Sequence, residues 1–254
     1  MSRIWAIAAN TQREAIRNRI LYALLFFALI PIASATLLGH LTVGEYTKIV
    51  MDVGLAAIAI FGTLIAIFVG IGLVNREIER KTIYTIASKP VSRVSFIVGK
   101  YLGLLMVLAM LVALMGVANL ISALLNGATV GPAYALVLAM TLVELMVITA
   151  FAVLYSTFTG PTLASFFSLS TVVIGHLTQD IRDFGAESEM AFVRHATAAV
   201  YWVLPNLETF NIRTEVVHGI ALPAEFLVTS VAYGLGYSAA VIALAALIFH
   251  SRDF

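Results

Sequence analysis

The sequence predicts an all-α integral membrane protein with six transmembrane helices, on three observations. Of its 254 residues, 61% are hydrophobic and only 11% are charged. A soluble domain carries about 25% charged residues and about 45–50% apolar ones. The apolar residues gather into stretches of the roughly 20 residues that a helix needs to cross a hydrocarbon core. The charges fall between these stretches, and most Lys and Arg lie on one side of the resulting topology. Three shorter pieces complete the fold class: an N-terminal interfacial helix, a cytoplasmic helix between spans 2 and 3, and short, partly buried extracytoplasmic helices before the last span. The chain reads as a single transmembrane domain over 1–254.

In chain order, residues 1–19 come first. Ile4, Trp5, Ile7, Ala8, Ala15 and Ile16 turn to one side of a helix, with Arg3, Arg13, Glu14 and Arg17 elsewhere. That pattern predicts a helix lying in the cytoplasmic interface, with Trp5 at headgroup depth. The spans follow at 20–39, 53–74, 95–124, 133–156, 161–178 and 227–249. Pro31 predicts a local kink in the first. Ala33-Ser34-Ala35 resembles a signal-peptide cleavage site, but the long basic region before the span favours an uncleaved anchor. Gly54, Gly62, Gly70 and Gly72 line span 2, and Gly99 and Gly103 open span 3 as G-x-x-x-G. Small residues at this spacing serve close helix packing within the chain, or a dimer contact.

Orientation follows from the cations. With the N-terminus cytoplasmic, Arg3, Arg13, Arg17, Arg19, Arg76, Arg80, Lys81, Lys89, Arg93, Lys100 and Arg252 lie inside. Only Lys48, Arg182, Arg194 and Arg213 lie outside. The expected location is therefore the cell (inner) membrane, multi-pass, with both termini cytoplasmic. Residues 179–226 form the long extracytoplasmic segment. Pro205 and Pro223 punctuate it, and Tyr201 and Trp202 suit an interface. Its helices are expected to dip into the outer leaflet or lie on it. Its acidic surface could also receive an extracytoplasmic partner.

The loop 75–93 carries the functional argument. Glu77 to Ala87 has helical composition, with Ile78, Thr82, Ile83 and Ile86 on one side and a Glu77–Lys81 pair at i,i+4. Lys89-Pro90 ends the helix, because a residue before proline avoids the α region. The next helix starts near Ser92. An apolar stripe in so short a loop can dock in a cleft of another protein, or rest on the membrane or on the chain's own helices. The residues Glu77, Glu79, Arg80, Thr82, Ile86, Ser88, Pro90, Ser92, Arg93, Gly99 and Lys100 resemble, in order and spacing, the coupling-helix region of ABC-2 type permeases. These are the membrane subunits of one class of ABC exporters. Lys81 departs from the glycine that many members carry there. The run from Pro205 to Arg213 and the C-terminal Arg-Asp-Phe are similar to the branch linked to copper-enzyme maturation and gliding.

That resemblance implies two copies of the chain, most simply a homodimer, each seating its coupling helix in one of two ABC ATP-binding subunits. The coupling residues it implies are Glu77, Glu79, Arg80, Lys81, Thr82, Ile83, Ile86, Ser88, Pro90 and Arg93. ATP-driven closure of the ATPases would then alternate access to a central cavity. The sequence holds no G-x-x-x-x-G-K-[ST] phosphate loop, so hydrolysis is expected in the partner, with ATP and Mg bound there and no cofactor on this chain.

Within the spans, Glu144 lies near mid-membrane in span 4, where a carboxylate is costly unless paired, hydrated or protonated. It either lines the translocation pathway or bonds to another helix. Asn119 is the second candidate pathway residue. Asn119 and His176 otherwise read as packing or interface groups near the outer ends of their spans. Methionines in spans 3 and 4 read as core filler. There is no cysteine, no H-E-x-x-H and no G-x-S-x-G, and the histidines are scattered. Asp180 and Asp183 form a single weak acid pair. An intramembrane enzyme is thus the least supported class, and a force-transmitting membrane scaffold is the closer alternative to an exporter. No nucleic-acid partner is expected.

Overall fold

The computed structural model describes residues 3–40, 46–79 and 92–251. Those residues form helices joined by short turns, with no strand among them. The helices are α1 (Arg3–Ile16), α2 (Arg19–His40), α3 (Tyr46–Glu79), α4 (Arg93–Leu125), α5 (Ala133–Phe158), α6 (Pro161–Ala186), α7 (Ala191–Val203), α8 (Arg213–Val217) and α9 (Ala224–Ser251). A 3₁₀ turn, Glu208–Phe210, precedes α8. Helices α3, α4, α5, α6 and α9 are each long and apolar enough to span. A sixth span exists if α1 and α2 count as one broken element bent by 63°.

The bend has a local cause. The α1 ladder stops at Arg17, and the Asn18 side-chain oxygen accepts from the backbone N–H of Ile20 at 3.0 Å, capping α2. Helix α2 runs on through Pro31. At α4, Ser92 is the N-cap, its hydroxyl accepting from the Ser95 N–H at 3.2 Å, which agrees with the expected start near Ser92.

Two helices end later than the sequence reading places them. Helix α3 extends from Tyr46 to Glu79, so Glu77 belongs to the last turn of a spanning helix and does not open a separate surface helix. Without proline or glycine after Gly72 to stop it, a ladder already propagating continues. Helix α6 likewise runs to Ala186, beyond the expected end at 178, because Thr178 to Ala186 contains no helix breaker other than Gly185. The long segment therefore starts eight residues later than the hydropathy suggested.

Helices α3 and α5 are the most enclosed, with 67% and 72% of their apolar windows buried. They lie side by side. Helix α3 also packs on α2, α4 and α6, and α5 on α4, α6 and α9. The surface left outside is apolar, including Phe26, Phe27, Ile60, Phe166 and Leu247, as expected of groups that meet lipid.

Small residues set the close approaches. A Cβ added at Gly62 would come within 2.9 Å of Leu145 Cδ1, and one at Gly116 within 2.5 Å of Leu138 Cδ1. Asn119 closes the α3–α4–α5 junction. Its amide donates to Tyr134 Oη at 3.2 Å and to Met51 O at 3.5 Å, and Tyr134 donates onward to Gly116 O at 2.8 Å. A Cβ at Gly54 would land 1.8 Å from Asn119 Oδ1. Overpacking of a filled junction costs about 1–3 kcal/mol. Gly54→Leu is therefore expected to lower the melting temperature of the solubilised protein and reduce its yield, whereas Gly72→Ala, with open space around it, leaves both unchanged.

Candidate functional site

Of the candidate coupling residues, the described ones, Glu77, Glu79 and Arg93, fall at one end of the bundle, where α3 ends and α4 begins. Glu77 and Glu79 occupy the last turn of α3, with side chains outside the described part. Arg80, Lys81, Thr82, Ile83, Ile86, Ser88 and Pro90 lie outside the described residues. Arg93 is described, and its guanidinium donates to Phe249 O at 3.2 Å and to His250 O at 2.9 Å. These are among the last carbonyls of α9, where a cation suits the helix dipole. Phe96 stacks on Phe249 beside this contact, with ring centroids 5.8 Å apart.

The next turns of α4 seat α1. Gly99 and Gly103 face it so closely that a Cβ at Gly99 would meet Ile7 Cβ at 2.7 Å. One at Gly103 would meet Ala8 O at 2.6 Å. Ala8, Thr11 and Ala15 are buried along this line, while Trp5 is half exposed. The G-x-x-x-G thus serves packing within the chain. Lys100, between the two glycines, is 1% exposed and lies 3.4 Å from Glu14 Oε2 on α1. Its ammonium also sits 5.9 Å from the Phe96 ring centroid. Residue typing alone does not reveal Lys100 as a clasp. The available signal was a cation at the head of an apolar span together with a lone acid on the amphipathic leader.

A second polar contact joins α5 to α6 deep in the bundle. His176 Nε2 lies 3.3 Å from Glu144 Oε1, and His176 Nδ1 lies 3.0 Å from Val172 O. Glu144 is 6% exposed and His176 34%. Glu144 is eleven residues from the start of α5, about 17 Å along the axis, and His176 is ten from the end of α6, about 15 Å. Both therefore sit well inside their helices. Sequence reasoning singled out each residue but not their pairing, which depends on the antiparallel register of α5 and α6. Asn119 is held apart from them, wholly enclosed at the α3–α4–α5 junction.

The chain between α7 and α9 reaches down to this pair. The Leu207 N–H donates to Gly175 O at 2.9 Å, next to His176, and Thr178 Oγ1 approaches Pro205 O at 3.4 Å. Leu207, Phe210 and Ile212 are each at most 2% exposed. Phe210 packs where a Cβ at Gly234 would sit, 3.1 Å away. Non-helical backbone at this depth is tolerated only when buried in protein, and these contacts bury it. Above it, Tyr201, Trp202, Asn206, Phe226, Tyr233 and Tyr237 line an open cleft of ≈ 390 Å³ between α7 and α9. Tyr237 donates to Val203 O at 2.6 Å, and Arg182 lies 4.4 Å from the Tyr201 ring centroid. Among the described residues, no group of three or more His, Asp or Glu is placed to hold a metal ion.

Comparison with known families now places this arrangement. The chain belongs to the family described as ABC-2 family transporter protein, which matches residues 5–254. Comparison with curated proteins finds no match. The chain is accordingly a multi-pass membrane subunit of an ABC transporter, a permease that associates with an ABC ATP-binding subunit.

Lys100 is far more enclosed than Glu14, which is 36% exposed and can turn to solvent. Removing the acid should therefore cost more than removing the base, because it leaves a buried cation without that carboxylate. Glu14→Gln is expected to lower unfolding stability by about 2 kcal/mol, and Lys100→Met by less than about 1 kcal/mol. The check is denaturation of the purified chain in detergent, with the double variant close to Lys100→Met.

Proposed function

We propose that this chain is the membrane half of an ATP-driven exporter, and that the 80–91 loop seats in an ATP-binding subunit which hydrolyses ATP with Mg. Two copies of the chain and two ATPases form the working unit, with the N- and C-termini on the ATPase side. Helix α1 lies in the interface there, Trp5 at the headgroups.

The observation that carries this reading is the mooring of α4. Its first turns follow the loop directly, and they are clasped to α9 through Arg93 and to α1 through Gly99, Lys100 and Gly103. A push on the loop would thus reach three helices as one body, since packed helices move by rigid shifts and not by continuous deformation. Glu144 is the residue we place at the substrate path. Asn119 serves the packing that keeps α3, α4 and α5 in register. A scaffold that transmits force without passing cargo would use the same α4 linkage, and the Glu144 region is where the two readings part.

The test is co-purification of the tagged chain from gently solubilised native membranes. An ATP-binding subunit is expected with the wild type and is expected to be lost in Ile83→Asp and Ile86→Asp. An unchanged set of companions in both variants contradicts the docking role. Glu144→Gln at full expression should reduce transport while ATPase binding persists, and unchanged transport removes Glu144 from the path.

A further inference from the structure

The hydrogen-bond geometry of Glu144 and His176 bears on how many protons they share. His176 Nδ1 is 3.0 Å from the Val172 carbonyl oxygen. A carbonyl only accepts, so Nδ1 carries a hydrogen. Nε2 then faces Glu144 Oε1 at 3.3 Å. A neutral imidazole against an ionised carboxylate would oppose two lone pairs in a low-dielectric interior, where unpaired acceptors are costly. One further proton between Nε2 and Oε1 removes that repulsion. It makes the pair imidazolium–carboxylate or imidazole–carboxylic acid, and both forms hold the same number of protons. A separated histidine and glutamate at neutral pH hold one fewer.

We infer that Glu144 and His176 together form a binding site for a single proton in the membrane-spanning core, and that the bound proton keeps α5 and α6 closed against each other. The Tyr155 and Thr171 hydroxyls also hydrogen-bond across the α5–α6 seam at 2.8 Å. Between the two contacts, Val147, Phe151, Ser168, Thr171 and Leu207 border a narrow gap, and the Ser168 hydroxyl is buried there with no hydrogen-bond partner. The exposed third of His176 is the entry for the proton, since Glu144 is nearly enclosed.

The charges around the imidazole come from several elements. Glu208 of the 3₁₀ turn acts on it electrostatically. Asp180 lies one turn further along α6, and Arg182 and Asp183 lie beyond. Helix α3, packed against α6, brings Lys48 and Asp52 in its first two turns, and α7 brings Arg194 and His195. Glu144 alone is in bonding contact. In the permease reading above, on which this use of the site rests, any step that parts α5 from α6 leaves a neutral imidazole and a carboxylate. It releases one proton to water, and closure takes one up.

The protein has no cysteine, so Ser168→Cys gives the full chain in lipid nanodiscs a single thiol inside the seam. Its reaction with a maleimide is compared with that in a Glu144→Gln background, which cancels the pH dependence of the thiol itself. Gln donates an N–H to Nε2 without needing the extra proton, so that seam stays closed at every pH. The rate ratio is expected to be near one at about pH 6 and to rise to about tenfold or more by about pH 9. Glu144→Ala should label fast throughout. A ratio that stays at one across the range overturns the inference. If Ser168→Cys does not fold, nitrogen-15 spectra of histidine-labelled chain decide. Nδ1 protonated with Nε2 responsive to Glu144→Gln supports the site, and Nε2 protonated with Nδ1 free overturns it. Neither measurement involves the ATPase, so the outcome is independent of the Ile83 and Ile86 result.

Discussion

A polar group inside hydrocarbon must find its partner within the protein, and the architecture follows from how few such groups there are and where each is spent. Lys100 goes to Glu14 and moors α1 on α4. Arg93 goes to the end of α9. Asn119 and Tyr134 lock α3, α4 and α5. Glu144 and His176 join α5 to α6 beside the re-entrant backbone of Leu207. Between these points the helices are apolar and pack through small residues, since apolar contact alone gives little preference between a neighbouring helix and lipid. The polar contacts therefore supply much of the specificity of the bundle.

Their distribution divides the protein into two ends with different character. At the end where α3 meets α4, the contacts gather α1, α4 and α9 into one unit around the head of α4. At the opposite end, the chain from α7 to α9 folds back into the bundle and is held by backbone hydrogen bonds, aromatic packing and the α5–α6 pair. In the function proposed above, the first end receives the force and the second changes access.

Much of the fold was legible in the sequence, because hydropathy over a helix length is a direct physical measure of what a bilayer accepts. The apolar spans and the start of α4 near Ser92 follow from local patterns. The extension of α3 to Glu79 and of α6 to Ala186 did not, because hydropathy reports where lipid ends while the hydrogen-bond ladder reports where the helix ends. The polar site was legible only in part. Glu144 stood out as a costly carboxylate, but its partner is fixed by helix register, which a single sequence does not encode locally. Lys100 was hidden because a cation at the head of a span reads first as a topology signal.

In the proposed function, the chain between α3 and α4 delivers the force of an ATP-binding subunit to α4. A photo-crosslinking side chain placed at Ile86, in a chain tagged and expressed in its native membrane, tests it most directly. The expected result is a crosslink to an ATP-binding subunit that changes in yield when ATP is added. Crosslinks confined to lipid or to the chain itself, with or without ATP, would contradict it.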